Sequence, residues 1–78
     1  MIDSAFARFG QSILLIEPTA EGIFLYVIRP DGFVGDTWHA TFEEAQAQAS
    51  FTAGRIVGPW TPIPADVKDK IAFAKTRG

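Results

Sequence analysis

The chain has 78 residues, with seven basic and nine acidic side chains for a formal net charge of −2, one histidine and no cysteine. Residues 1 to 78 are too few for more than one domain, and without cysteine that domain has neither disulfides nor a thiolate zinc site to reinforce its core. One histidine is a poor basis for a metal centre or a catalytic triad, so we expect a non-catalytic protein with no metal and no cofactor.

Nothing in the hydropathy pattern indicates a membrane protein. The longest apolar run spans positions 23 to 28, whereas a helix that crosses a bilayer needs roughly 20 apolar residues. The first nine residues also lack the continuous apolar core of a secretory signal. We therefore expect a soluble, cytoplasmic protein without a membrane partner.

The beginning of the chain has the spacing of a short helix. Asp3 and Ser4 are residue types that cap helices, Phe6 and Phe9 fall near one side of a helical turn, and Gly10 is a suitable stop. These residues predict a short N-terminal helix.

Two apolar segments then predict a β-hairpin. Residues 12–17 and 22–29 form its strands, residues 30–32 (Pro-Asp-Gly) form a turn, and residues 33–39 form a third antiparallel strand. The first two strands are apolar on both faces, so each face must be covered. In so small a domain, a second protein is a natural candidate to cover one of them.

The third strand contains the residues that come nearest to a ligand site. Asp36 and Trp38 fall on one face of this strand and His39 on the other, and a bulge at Gly35 and Asp36 would separate the carboxylate from the indole. A small-ligand site around Asp36, Trp38 and His39 is one interpretation. The other is structural, with Trp38 filling the space between helix and sheet and His39 at the surface.

A helix is predicted after the third strand. Thr41 and Glu44 have the spacing of a capping box, and Gly54 is a plausible end. Small side chains, among them Ala45 and Ala49, share the face that would lie on the sheet. Phe51 falls roughly opposite that face and therefore needs another contact.

The last part of the chain predicts one more strand and one more helix. Residues 55–60 fit a short edge strand, and a helix opens at Pro64 or Ala65. The predicted fold class is α+β, a small antiparallel sheet of three to four strands with two helices in the order βββαβα, besides the short N-terminal helix. One or both helices are expected to pack on one face of the sheet.

The segment from the third strand into the helix is similar in outline to small HicB-like antitoxin domains. The likeness rests on residues 35–37 (Gly-Asp-Thr) and 42–45 (Phe-Glu-Glu-Ala), covers about half of the chain, and is interrupted here by residues 38–41. The resemblance implies a module that works by binding another protein. No functional residue is transferred from it.

These observations favour a non-catalytic protein-interaction module, acting as a homodimer or as a subunit of a complex. The predicted interface consists of apolar residues on a sheet face or edge: Phe24, Tyr26, Ile28, Phe51 and Trp60. The alternative is a nucleic-acid-associated or antitoxin-like regulator that uses the basic C-terminal helix. Its predicted contacts are Lys68, Lys70, Lys75 and Arg77.

Overall fold

The computed structural model describes residues 4–77, which form five strands and two helices. The α+β class is confirmed, although the sheet has five strands rather than three to four. All neighbouring strands are antiparallel, in the order β4-β3-β2-β1-β5. The elements are β1 Ala5–Phe9, β2 Ser12–Thr19, β3 Gly22–Ile28, β4 Val34–His39, α1 Phe42–Ala53, β5 Thr61–Pro62 and α2 Lys70–Arg77.

The predicted N-terminal helix is wrong, because this segment is β1. Its five residues pair with β2 from Ala5 opposite Ile16 to Phe9 opposite Ser12. Asp3, one of the two suggested caps, lies outside the described residues, and Ser4 is buried beside the strand. Pairing along a whole strand outweighs the local helical spacing of two phenylalanines.

The segment after α1 also differs from the prediction. Residues 55–60 form no strand, and only Thr61–Pro62 pairs with β1, at the sheet edge where a proline is tolerated. Helix α2 begins at Lys70 rather than at Pro64 or Ala65. Its first turn is capped by Asp69, whose carboxylate accepts a hydrogen bond from the Ala72 amide at 3.0 Å.

β2 is longer than predicted, β3 and β4 are each one residue shorter, and the pairing is more regular than predicted. β2 continues through Pro18 to Thr19, where a two-residue turn leads to Gly22. The pairing of β3 with β4 is unbroken from Ile28 opposite Val34 to Ile23 opposite His39. The predicted bulge at residues 35 and 36 is therefore absent, and Asp36 and Trp38 keep the same face.

The two helices pack on opposite faces of the sheet, whereas the prediction was that one or both would pack on a single face. On the α1 side, Leu14, Ile16 and Leu25 are buried against Ala45 and Ala49 of the helix. The α2 side has its own core of large side chains around the helix residue Ala74. Its buried members are Phe6, Ile13, Leu15, Ile28, Ile63 and Ala74.

The chain itself therefore covers both faces of its central strands, and a second protein is not needed to cover a whole face. Alanines allow α1 to lie close to the sheet, whereas α2 has only eight residues and packs over β1 and β2. The α2 side of β3 and β4 is left less covered. On this less covered area Val34 and Trp38 are exposed.

Candidate interaction surface

β4 is an open edge of the sheet. On its inner side it pairs with β3, and the Arg29 amide beside the hairpin turn donates to the Phe33 carbonyl at 2.9 Å. Backbone groups alternate in direction along an antiparallel strand. The amides and carbonyls of Val34, Asp36 and Trp38 therefore point away from β3, where an added strand would meet them.

The uncovered α2 side of β3 and β4 carries four apolar side chains that we call the aromatic surface. The members are Phe24, Tyr26, Val34 and Trp38. Val34 is 48% exposed and Trp38 is 56% exposed, whereas the two β3 residues are half-buried. Large exposed side chains directly beside an unpaired strand edge distinguish this area from the rest of the sheet.

The Trp38 indole is fixed in position although much of it is exposed. Its Nε1 donates a hydrogen bond to the Glu21 carbonyl oxygen at 2.8 Å. The ring lies against the backbone of Gly22, so closely that a Cβ at that position would overlap it. Gly22 has a φ of +142°, a region that glycine adopts readily. The indole is thus a preformed platform with one open face.

Tyr26 is a member of the aromatic surface that also contacts the α2-side core. Its ring stacks with that of Phe24 at a centroid distance of 6.2 Å. Burial, then the negative charges of Glu17 and Asp36, and then a hydrogen bond with Glu17 raise the pKa of Tyr26 above its ordinary value of 10.0. Glu17 itself forms an ion pair with Lys70 of α2, with Nζ and Oε2 3.4 Å apart. Tyr26 therefore stays a neutral phenol at physiological pH.

A cleft of about 530 Å³ opens where Tyr26 meets the start of α2. Its walls are partly charged, and Glu17 and Lys70 in them are already paired. It is lined by Leu15, Glu17, Tyr26, Lys68, Asp69, Lys70 and Ile71. The cleft extends the aromatic surface toward the helix.

The predicted interface residues do not form one group. Phe24 and Tyr26 lie on the aromatic surface. Ile28 is 2% exposed in the α2-side core, so it offers almost no surface to a partner. Trp60 is half-buried against the α1-side core. Phe51 is 82% exposed on α1 and is not part of the aromatic surface.

The residues considered for a small-ligand site do not converge either. Asp36 and Trp38 lie on the α2 side, whereas His39 lies on the α1 side, where its Nε2 is 2.8 Å from the Thr37 hydroxyl. In the described chain, no three acidic or histidine side chains form a group able to hold a metal ion. No helix of residues 4–77 is long and apolar enough to cross a membrane.

The basic residues of the C-terminal segment are dispersed. Lys70 pairs with Glu17, Lys68 lies before the helix, and Arg77 is the last residue of α2. A different set of bases comes together at the other end of α2. Lys75 lines a cleft of about 240 Å³ with Arg8 and Arg29, and Arg8 donates to the Lys75 carbonyl oxygen at 3.1 Å.

Comparison of the chain with protein-family models, with curated proteins and with solved structures gives no match. The similarity in outline to HicB-like domains therefore rests only on residues 35–37 and 42–45. Function has to be argued from the surface itself.

Sequence reasoning missed two residues at the aromatic surface, Val34 and Gly22, and one in the basic cleft, Arg8. Val34 was treated only as part of a strand, and Arg8 was placed in a helix that does not form. Gly22 was read as the start of a strand, without its contact with Trp38. A signal for that contact was present, because a glycine that begins a strand often marks a close approach of another group.

Proposed function

We propose that this chain is a non-catalytic, cytoplasmic protein-interaction module that binds another polypeptide through β4 and the adjoining aromatic surface. The observation that carries the proposal is the coincidence of an open strand edge with exposed apolar side chains on the same strand. Val34 and Trp38 are both about half exposed there. The partner is a second copy of the chain or a different protein.

The edge itself supports this proposal. Proteins usually protect an edge strand with lysine, proline or a bulge, because unpaired amides and carbonyls attract other strands. β4 consists of Val-Gly-Asp-Thr-Trp-His and pairs with β3 without interruption. Asp36 is the only acidic residue in β4, and the strand contains no lysine or proline that would discourage pairing with another strand. A strand with so little protection is suited to accept a further strand.

The side chains support it as well. Tryptophan and tyrosine are enriched among the residues that dominate binding energy, and Trp38 is held in place before any partner arrives. Little conformational freedom would be lost when a partner packs on it. By contrast, Phe51 and Ile56 are even more exposed, at 82% and 92%, but they lie on no open strand edge.

A photo-crosslinking experiment tests the proposal. The photoreactive amino acid benzoylphenylalanine is introduced at Val34, or at Ile56 as the matched control, since both side chains are exposed. Cells that produce each variant are irradiated. We expect protein adducts of defined mass from position 34 and none, or only a diffuse background, from position 56.

The mass of the adduct then identifies the kind of partner. A band at twice the mass of the chain indicates a second copy, and any other sharp band indicates a different protein. Trp38→Ala should abolish the position 34 adduct, because the indole platform is lost while the core is untouched. Equal labelling from positions 34 and 56, or no labelling from either, would contradict the proposal.

A nucleic-acid-associated or antitoxin-like role is the second candidate, and one observation favours it. Arg8, Arg29 and Lys75 line a single cleft, which concentrates positive charge in a chain that is acidic overall. Binding through these bases would weaken steeply as salt rises. A gel shift at low salt, with single- and double-stranded DNA and RNA, tests it. Unshifted nucleic acid at high micromolar protein would exclude this role.

A further inference from the structure

Asp36 is the one charged side chain on the outer edge of the sheet at β4. It lies in the middle of the strand, opposite Tyr26 and between Val34 and Trp38 on the α2 side. It is exposed, and among the described side chains of residues 4–76 it takes part in no ion pair. Glu17, the other carboxylate near Tyr26, is already paired with Lys70. Asp36 is therefore free to pair with a positive charge from outside the chain.

A second copy of β4 cannot supply that charge. In an antiparallel pair related by a two-fold axis, residues of the same face meet each other. Asp36 would then lie opposite Val34, Asp36 or Trp38 of the second copy, according to the register. None of these is basic, and like charges directly opposite each other destabilise a strand pair. The strand edge disfavours self-pairing.

The chain's own bases do not reach Asp36 either. Arg29, the nearest base along the hairpin, pairs with Asp31 at 3.0 Å and lies over the Phe33 ring at 5.4 Å from its centroid. Arg8 is occupied with the carbonyl groups at the end of α2. Positive charge thus gathers at β1 and α2, while the open edge is acidic and aromatic.

We infer that the natural occupant of β4 is an extended segment of another protein that carries a basic residue, preferably arginine, opposite Asp36. This inference rests on the proposed function and specifies its partner. A residue opposite Asp36 would have its Cβ about 5 Å away, and Trp38 would be its diagonal neighbour, within reach of a long side chain. A guanidinium can pair with the carboxylate and lie over the open face of the indole.

A set of synthetic peptides tests this inference. The probe is a fluorescein-labelled, terminally blocked heptapeptide, Thr-Val-Thr-Arg-Thr-Val-Thr, in which the arginine and both valines share one face of a strand. Three matched peptides replace the arginine by citrulline, replace it by glutamate, or carry N-methylated amides. Fluorescence anisotropy should give an affinity for the arginine peptide about five- to tenfold higher than for the citrulline peptide. The N-methylated peptide should not bind, because it cannot extend the sheet.

Variants of the chain make the test specific. Asp36→Asn should remove the preference for arginine over citrulline, and Asp36→Lys should reverse it, so that the glutamate peptide binds better than the arginine peptide. Both substitutions are at an exposed position, and circular dichroism confirms that the fold is retained. Glu43→Lys, on the exposed first turn of α1, is the charge-matched control and should leave the preference unchanged.

The outcomes separate this inference from the proposed function. Failure of every peptide to bind, or equal binding of the arginine, citrulline and glutamate peptides, would overturn the inference. A dimer that forms through β4 and excludes the arginine peptide would overturn it too, while the proposed function would stand. If the crosslinking from position 34 also fails, the proposed function falls with it.

Discussion

Replacing Gly22 by alanine should displace the Trp38 indole, because the added Cβ would overlap the ring. Gly22 also has a φ of +142°, a backbone conformation in which a non-glycine residue costs on the order of 1–3 kcal/mol. The free energy of unfolding should therefore fall for two reasons. One is the backbone strain at residue 22, and the other is the loss of contacts between Gly22 and the Trp38 indole.

The free energy of the contacts made by Trp38 can be estimated from its burial. Trp38 is 56% exposed, so a little less than half of its surface is covered. For a tryptophan of roughly 250 Å² this is about 110 Å², which corresponds to about 2.8 kcal/mol at about 25 cal/mol/Å². The hydrogen bond to Glu21 adds about 1 kcal/mol. Gly22 supplies only part of these contacts, so we expect a coupling free energy of about 1–2 kcal/mol between positions 22 and 38.

Urea denaturation of a double-mutant cycle measures this coupling. Gly22→Ala should cost about 1–2 kcal/mol less in a Trp38→Ala background than in the native chain. Gly10→Ala is the control, since Gly10 also has a positive φ of +60° but no atom within 4 Å of an added Cβ. Its cost should be the same in both backgrounds. Equal costs for Gly22→Ala in both backgrounds would refute the role of Gly22 in holding the indole.

Two further predictions concern the start of α1 and the aromatic surface. Thr41→Ala should lower the free energy of unfolding by about 1 kcal/mol, because the Thr41 hydroxyl accepts a hydrogen bond from the Glu44 amide at 3.1 Å. Thr41→Ser keeps a hydroxyl and should cost much less. Equal losses for the two variants in urea denaturation would speak against the cap. Tyr26 has a raised pKa in the folded chain, so its contribution to stability is complete below about pH 10 and is lost as pH rises through the folded pKa. Asp36→Asn should lower the pKa of Tyr26 toward its ordinary value, which a phenolate absorbance titration follows, and an unchanged titration would rule out the coupling.

The parts of the fold that depend on neighbouring residues could be predicted from the sequence. The hairpin of β2 and β3, the turn before β4 and the start of α1 all follow from short patterns. The Thr41 cap is confirmed, although the Glu44 carboxylate accepts from the Ala40 amide at 3.4 Å and not from that of Thr41. Gly54 ends the helix in the left-handed conformation, as predicted.

The parts that depend on distant pairing could not be predicted. β1 was taken for a helix because Phe6 and Phe9 fit one turn, and only its alignment with β2 decides for a strand. Between β5 and α2, Ile63 is only 1% exposed and belongs to the α2-side core, so the chain has reached this face before α2 begins. Local spacing carries no information about which face a later helix will cover.

Some residues of the candidate interaction surface could likewise be predicted from the sequence, and others could not. Phe24 and Tyr26 were predicted from the apolar run of β3, because that run is apolar on both faces. Ile28 belongs to the same run and shares their face, but α2 covers its end of the strand. Trp38 was interpreted either as part of a ligand site or as a core residue, and it is exposed because the eight-residue α2 does not cover this part of the sheet. The exposure of each residue along a strand depends on how far the neighbouring helix extends over it, and the composition of the strand does not specify this.

Amide hydrogen exchange along β4, measured by NMR, tests the central claim most directly, namely that this strand is an open edge that receives a partner strand. In the free chain, the amides of Val34, Asp36 and Trp38 should exchange quickly, and those of Gly35 and Thr37 slowly, because only the latter point toward β3. Saturation with the arginine peptide should slow the first three and leave the α1 amides unchanged. Uniformly slow exchange along free β4 would contradict the claim, and no change on addition of the peptide would contradict the inferred basic partner.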